Sequence, residues 1–337
     1  MKTACGTDRR THNGVSCPAA VFKGKARARI VGVAAGPAWA TDERRRLFRV
    51  AGVRRLRFGG FSSPLCRCYV LSMRYHHLAR HHGVELYEAS FSRQTFARHA
   101  HEGFAIGAIA EGAGGYVCRG ESLMLPAGSL SLMNPEEPHT GHAAAGHVRY
   151  TMLYASEAAV RAMLGLRELR GFSALAPRDR GLRLTRALAR LAHVLNTPEP
   201  SDRPLAVDEA LHEVLLLAFS QYGGAELRPA GREPAAVRLL RARIAAGIAA
   251  GEALSLSDLA EEAGLSPSYL IRSIRRATGL TPHAHVVRAR LDHARRSLLE
   301  GLPAAEAALA AGFCDQAHLI RQFRRHYGVT PGALIRH

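Results

Sequence analysis

No run of about 18 apolar residues occurs in the 337-residue chain, so no segment is fit to cross a bilayer as a helix. A clean secretory pattern is missing as well, because Ala19 to Val33 is interrupted by Lys23, Lys25, Arg27 and Arg29. A cytoplasmic protein is therefore expected. Lysine is absent after residue 25: Lys2, Lys23 and Lys25 are the only three, and the other 43 strong cations are arginines. Cysteine is scarce, and the four that precede residue 70 (Cys5, Cys17, Cys66 and Cys68) supply no pair with the two-residue spacing of a zinc site.

Positive charge is what the chain has in excess. A formal net charge of +18 and a pI near 10.6 point to an anionic partner such as nucleic acid. The charge is uneven. Residues 1–60 carry 14 Lys and Arg against three Asp and Glu, a net of +11, whereas residues 235–337 carry 14 against eight, a net of +6. With every lysine and little apolar periodicity, residues 1–72 are expected to be a disordered basic extension, an upstream run of the reading frame ahead of a start at Met73. A functional basic arm is the alternative.

Between about residues 84 and 155 the hydrophobic period is two. Phe104, Ile106, Ala108 and Ala110 alternate with their neighbours, as do Val148, Tyr150, Met152 and Tyr154. Turn signals at Gly112 to Gly115, Gly120, Pro126-Ala127-Gly128 and Asn134-Pro135 break the run into short strands, which predicts a small antiparallel barrel or double sheet. Histidines collect at its edges. His99 and His101, one residue apart, point the same way on a strand and suit a metal such as zinc or iron; His139 and His142 follow a later strand. With Tyr116, these four are the candidate lining of a small-molecule site over residues 73–165. In residues 166–222 two leucine stripes, Leu184, Leu188, Leu191 and Leu195, then Val207, Leu211, Val214, Leu215 and Ala218, serve either the domain's own core or a dimer interface. Residues 223–234, rich in Gly, Pro and charge, read as a linker.

The last hundred residues contain one unit written twice. Ala263-Gly264-Leu265, Leu270-Ile271-Arg272, Arg275-Arg276 and Gly279-Leu280-Thr281-Pro282 recur as Ala311-Gly312-Phe313, Leu319-Ile320-Arg321, Arg324-Arg325 and Gly328-Val329-Thr330-Pro331. The shift grows from 48 to 49 residues, so the second copy has one extra residue between turn and helix. Ser257-Asp258 is expected to cap a short helix, a tight turn follows at Ala263-Gly264, and Ser266-Pro267 opens a second helix: the punctuation of a helix-turn-helix. Leu270 and Ile274 face inward, as do Leu309, Phe313, Leu319 and Phe323 in the second copy. Outward-facing Ser268, Ile271, Arg272 and Arg275, then Gln316, Ala317, Ile320, Arg321 and Arg324, suit base edges in a groove; Arg276 and Arg325, near the helix ends, suit phosphates. A helix from Pro282 to about Glu300, with Arg288, Arg290, Arg295 and Arg296 largely off its apolar side, would be a rod of roughly 28 Å. Such a rod could hold two readers in adjacent major grooves, about 34 Å apart.

Residues from about 235 to 337, including Arg288-Ala289-Arg290-Leu291-Asp292-His293-Ala294, resemble the DNA-binding domain of the AraC/XylS family of bacterial transcription regulators. Ile274 departs from it, standing where many members carry phenylalanine. The resemblance implies that Ser268, Ile271 and Arg272, then Gln316, Ala317, Ile320 and Arg321, meet bases. The preceding part is similar to that family's cupin-like sensor. Gly120, Pro126 and Gly128 keep the spacing of the second cupin motif, but Ser131 stands at its metal histidine and no Glu follows His101 by three to five residues, so neither metal nor cofactor is expected. The implied fold is α+β in two domains: a cupin-like antiparallel barrel with a helical dimerisation region, then an all-α domain of two helix-turn-helix units joined by a long helix. The implied function is a ligand-responsive, sequence-specific transcription factor and not an enzyme. Double-stranded DNA and a small-molecule effector are its expected partners, with RNA polymerase and a second copy in a homodimer; no membrane is involved. Two rivals are a metal-dependent cupin enzyme with an ancillary DNA-binding domain and an alkyl-accepting repair regulator, for which the early cysteines lack the four-cysteine zinc spacing.

Overall fold

The period-two segment folds as a curled antiparallel sheet. The computed structural model describes residues 70–92, 94–197 and 203–335. The expected basic extension lies outside the described residues as far as residue 69, and its boundary moves, because Met73 sits within the first strand and pairs with Ala89. The strands are β1 (Val70–His77), β2 (Val84–Phe91), β3 (Thr95–His99), β4 (Phe104–Cys118), β5 (Glu121–Pro126), β6 (Leu130–Met133) and β7 (His139–Ala155). Their order is β1-β2-β7-β4-β5, with β3 added to β7 and β6 to β4. The long strands β4 and β7 slip register between Ile109 and Glu111 and between Gly112 and Gly114, bulges that bend the sheet on itself. Gly112 is required at one: φ is +70°, and a Cβ would collide with the His147 carbonyl. The same bulges end the alternation early, leaving Ala110 exposed.

Both faces of β4 are buried. Ala105 and Ile109 join Phe91, Leu125, Met133 and Val148 inside the curl, where Tyr150, Met152 and Tyr154 also pack. Phe104, Ile106 and Ala108 face outward onto helices α1 (Glu157–Leu164), α2 (Arg183–Asn196) and α3 (Arg203–Gln221). Those helices carry the leucine stripes, and of the two readings for them the stripes serve the domain's own core. Leu184, Leu188, Leu191, Leu211, Val214, Leu215 and Ala218 are buried in the chain's own core, because α2 and α3 must cover the outer face of the sheet.

The C-terminal helices are α4 (Pro234–Ala250), α5 (Leu256–Glu262), α6 (Pro267–Thr278), α7 (Pro282–Leu299), α8 (Ala304–Ala310), α9 (Gln316–Tyr327) and α10 (Pro331–Ile335). Helices α5–α6 and α8–α9 are the two expected helix-turn-helix units, and α7 is the rod between them. The one-residue difference is taken up before the second helix, where Ser266 caps α6 and Asp315 caps α9. Three details change. The cap of α5 is Ser255, since its Oγ accepts from the Asp258 amide. Leu309 is 65% exposed because Ala307, Ala308 and Ala311 take the inward side of α8. Arg290 is buried and donates from Nη1 to the Gly312 carbonyl, fastening α7 to the second unit's turn. No helix among the described residues is long and apolar enough to cross a membrane.

The hydrophobic cores do not divide at residues 223–234. One core runs from the outer face of the sheet through α1–α3 into α4, α5, α6 and Val286 of α7; a separate core holds Leu291, Leu298, Phe313, Leu319 and Phe323. The first helix-turn-helix is thus packed with the sensor, and the second stands on its own.

Candidate functional site

Helix α9 presents its expected face to solvent. Leu319 and Phe323 anchor it, while Gln316, Ala317, Arg321, Arg324 and Arg325 are exposed and Ile320 is half-buried. Asp315 fixes its start by accepting from the His318 amide at 2.5 Å, which aims the first turn outward.

Helix α6 repeats the leucine, the isoleucine and the three arginines of α9 at the same places but does not present all of them. Ser268 is 0% exposed and Ile271 5%, against their exposed or half-exposed counterparts Ala317 and Ile320. Arg272 is tied down: Nη1 donates to the Arg228 carbonyl at 2.7 Å and Nε to Ser268 Oγ at 3.3 Å. Arg275 and Arg276 are exposed, although Arg276 Nη1 donates to the Ala230 carbonyl at 2.9 Å. The expected linker is therefore a strap across α6, pinned further by Tyr269, whose hydroxyl donates to Glu233 at 2.9 Å and accepts from the Gly231 amide. The Arg228 guanidinium stacks 4.7 Å from the Tyr269 ring centre.

On the sensor side the cover is a polar seam of α3. Asp208, 2% exposed, accepts from the Leu256 amide at 3.0 Å and bonds His81 of the β1–β2 turn at 2.7 Å. Glu209 accepts from the His283 amide at the start of α7 at 2.6 Å, and burial raises its pKa. His212 meets Ser268 Oγ at 3.0 Å; burial first, then the Arg272 charge, lowers its pKa to about 4. Sequence reasoning passed over these three. The available signal was the spacing of Asp208 and His212, four apart on one side of a leucine-rich helix.

In the sensor, pairing of β3 with β7 sets His99 opposite His139. His101 joins them, and the ligand nitrogens of all three lie within 4.8 Å of one another. Burial lowers the pKa of His101 to about 4, helped by His139 and His99, and also lowers that of His139. The His101 ring lies 4.5 Å from that of Tyr154 on the inner face. The other two expected lining residues are elsewhere. Three residues along from His139, His142 packs over Gly115, and the Tyr116 hydroxyl donates to the Leu175 carbonyl at 2.8 Å, a buried structural pin.

The family model for an AraC-like ligand binding domain matches residues 81–215, and that for a helix-turn-helix domain matches residues 259–337. The uncharacterized HTH-type transcriptional regulator YbfI of Bacillus subtilis (strain 168) is 28% identical over 247 residues, covering 71% of this chain and 86% of that protein. The HTH-type transcriptional activator RhaS of Pectobacterium carotovorum subsp. carotovorum (strain PC1) is 26% identical over 252 residues, 71% of this chain and 88% of its own. Over a shorter reach, the transcriptional activator NphR of a Rhodococcus species is 40% identical across 80 residues, 23% of this chain and 24% of that one.

Proposed function

Because this chain belongs to the AraC/XylS family of transcription regulators, with a ligand-binding domain ahead of a helix-turn-helix DNA-binding domain, we propose that the conformation described is its resting form and that effector binding uncovers the first recognition helix. The observation that carries this is internal to the molecule. Ile271 and Arg272 are covered on α6 while Ile320 and Arg321, 49 residues on, are more exposed on α9, and the cover is α3 and the strap, held through Ser268 and Tyr269 where α9 has Ala317 and His318.

In the resting form α9 alone can enter a groove. Released, α6 adds Ser268, Ile271, Arg272 and Arg275 to the Gln316, Ala317, Ile320, Arg321 and Arg324 of α9, with Arg276 and Arg325 on phosphates. The 18-residue rod α7 is about 27 Å long, near the 34 Å between successive major-groove faces. An effector works here only by binding one arrangement better than the other. His99, His101 and His139, at the rim of the curled sheet, are the groups we assign to the effector site.

The chain acts as a regulator in this reading, with no catalytic step, and its relatives are regulators, which favours it over a metal-dependent enzyme. DNA as partner places it in the cytoplasm at the nucleoid. RNA polymerase and a second copy complete the partners. With the leucine stripes internal, β1, the edge strand among the described residues, with exposed Met73 and Tyr75, is the surface a homodimer would use. The test is selection of bound sequences from random duplexes with and without candidate effectors. Two half-sites about one helical turn apart, strengthened by an effector, are expected; no enrichment in either condition would refute the reading.

A further inference from the structure

We propose that a cavity where α1, the strap and α6 meet binds a small apolar monocarboxylate, and that the bound ligand holds α6 in its covered arrangement. The cavity has a volume of about 220 Å³, and none of its lining residues belongs to a strand, so it is separate from the curled sheet and its histidines. Leu164 and Leu166 line it from the end of α1, Leu227 from the strap and Leu265 from the turn ahead of α6. The cations beside them are the informative part. The Arg228 Cζ lies 4.7 Å and the Arg272 Cζ 5.8 Å from the centre of the Tyr269 ring, so two guanidinium groups gather on one side chain at the cavity wall. Neither has an ion-pair partner among the described residues, although Glu226 lines the same cavity.

Arg272 carries the argument. Its Nη1 donates to the Arg228 carbonyl and its Nε to Ser268 Oγ, which leaves Nη2 with no protein partner among the described residues. The side chain is half-buried, and burial lowers its pKa, as expected of a cation short of a counter-charge. A carboxylate supplies that charge, because its oxygens accept from the guanidinium fork in charge-assisted hydrogen bonds. Size and sign narrow the class. Pockets for drug-sized ligands run to about 300–1,000 Å³, so this one suits a smaller body, and its leucines favour a branched aliphatic chain or a single ring. Glu226, exposed at the same site, repels a second negative charge and so disfavours dicarboxylates and phosphate. Because the walls come from both sides of the sensor–reader junction, the site is complete only while α6 is covered, and its ligand binds that arrangement better than the released one. Its sense is opposite to that of the effector at the histidine rim.

The effect on DNA rests on the reading of α6 as a covered reader, whereas occupancy of the cavity does not, so the two are measured separately. The full chain is titrated by calorimetry with isocaproate and hydrocinnamate, beside isocaproamide and inorganic phosphate as controls. One equivalent of carboxylate per chain is expected, with a raised melting temperature, and no binding of amide or phosphate. Arg228→Gln removes one cation but keeps the backbone carbonyl that Arg272 uses, and Leu166→Trp fills the cavity without changing its charge. Each should weaken carboxylate binding about tenfold or more, the worth of one charge-assisted hydrogen bond in the first case, while the Arg228→Gln chain melts close to wild type without ligand. In gel shifts on a selected operator, saturating carboxylate should lower the affinity of wild type and leave that of Leu166→Trp unmoved. Equal binding of amide and carboxylate, carboxylate binding that neither substitution weakens, or no binding up to about 10 mM would overturn the site. Occupancy that leaves operator affinity unchanged would overturn the hold on α6, and a chain that selects no duplex at all would refute the DNA reading while the calorimetry still decides the site.

Discussion

Arg272 and Arg321 occupy one position of the repeat, yet one guanidinium is spent on the Arg228 carbonyl and the other faces water. Without effector, Arg321→Ala should cost about 1–3 kcal/mol in operator binding, the worth of one bidentate base contact. Arg272→Ala should cost nothing in that state and should instead raise affinity by loosening the strap; gel-shift titrations of the two variants decide it. His212 gives the resting form a pH dependence. Its ring is held neutral with a pKa near 4, below its ordinary 6.5, so the released form takes up the proton and acidification between pH 6.5 and 4 favours release. Glu209 acts in the opposite sense, because its raised pKa makes the covered form the better proton acceptor. Arg272 is the charge that faces His212 from α6. Comparing wild type with His212→Asn cancels the Glu209 contribution. The ratio of their DNA affinities should rise in favour of wild type from pH 7 to pH 5.5, and a flat ratio would show that His212 does not couple to release.

Among the elements, α1 and α6 meet with no room to spare at Gly165. Gly165 ends α1 in the left-handed region at φ +69°, and a Cβ there would lie 2.6 Å from Cβ of Ser266, the cap of α6. Gly165→Ala should therefore push α6 off the sensor and give effector-independent DNA binding with a lowered melting temperature; calorimetry and gel shift measure both. The helix-turn-helix units were legible in the chain because each is local: caps, turn glycines and inward leucines lie within about 25 residues. The covering of α6 was not, since Ser268 meets His212 across 56 positions and Arg272 meets Arg228 across 44. The sensor shows the same limit. His99 and His101 announce themselves by spacing, whereas His139 joins them only through the β3–β7 register, and Tyr116, equally conspicuous, turns out to serve the fold.

At the scale of the whole molecule, the split of the cores sets the size of the switch. Burying Ile271 alone contributes roughly 1.5–3 kcal/mol to the covered form, and the seam of Asp208, Glu209 and His212 adds hydrogen bonds of about 1 kcal/mol each. A near-complete switch needs an effector to favour the released form by about 5.5 kcal/mol, which is the right order for opening that interface. Because Glu209 and Asp208 hold the starts of α7 and α5, release should move the first unit as a body while the second keeps its own core.

Hydroxyl-radical footprinting of the full-length chain on a selected operator, wild type beside Gly165→Ala without effector, tests the covered-reader account most directly. One protected patch for wild type and two, about one helical turn apart, for the variant is the predicted result. Two equal patches for wild type at the same occupancy would contradict it, because α6 would then be reading DNA from the conformation in which it is covered.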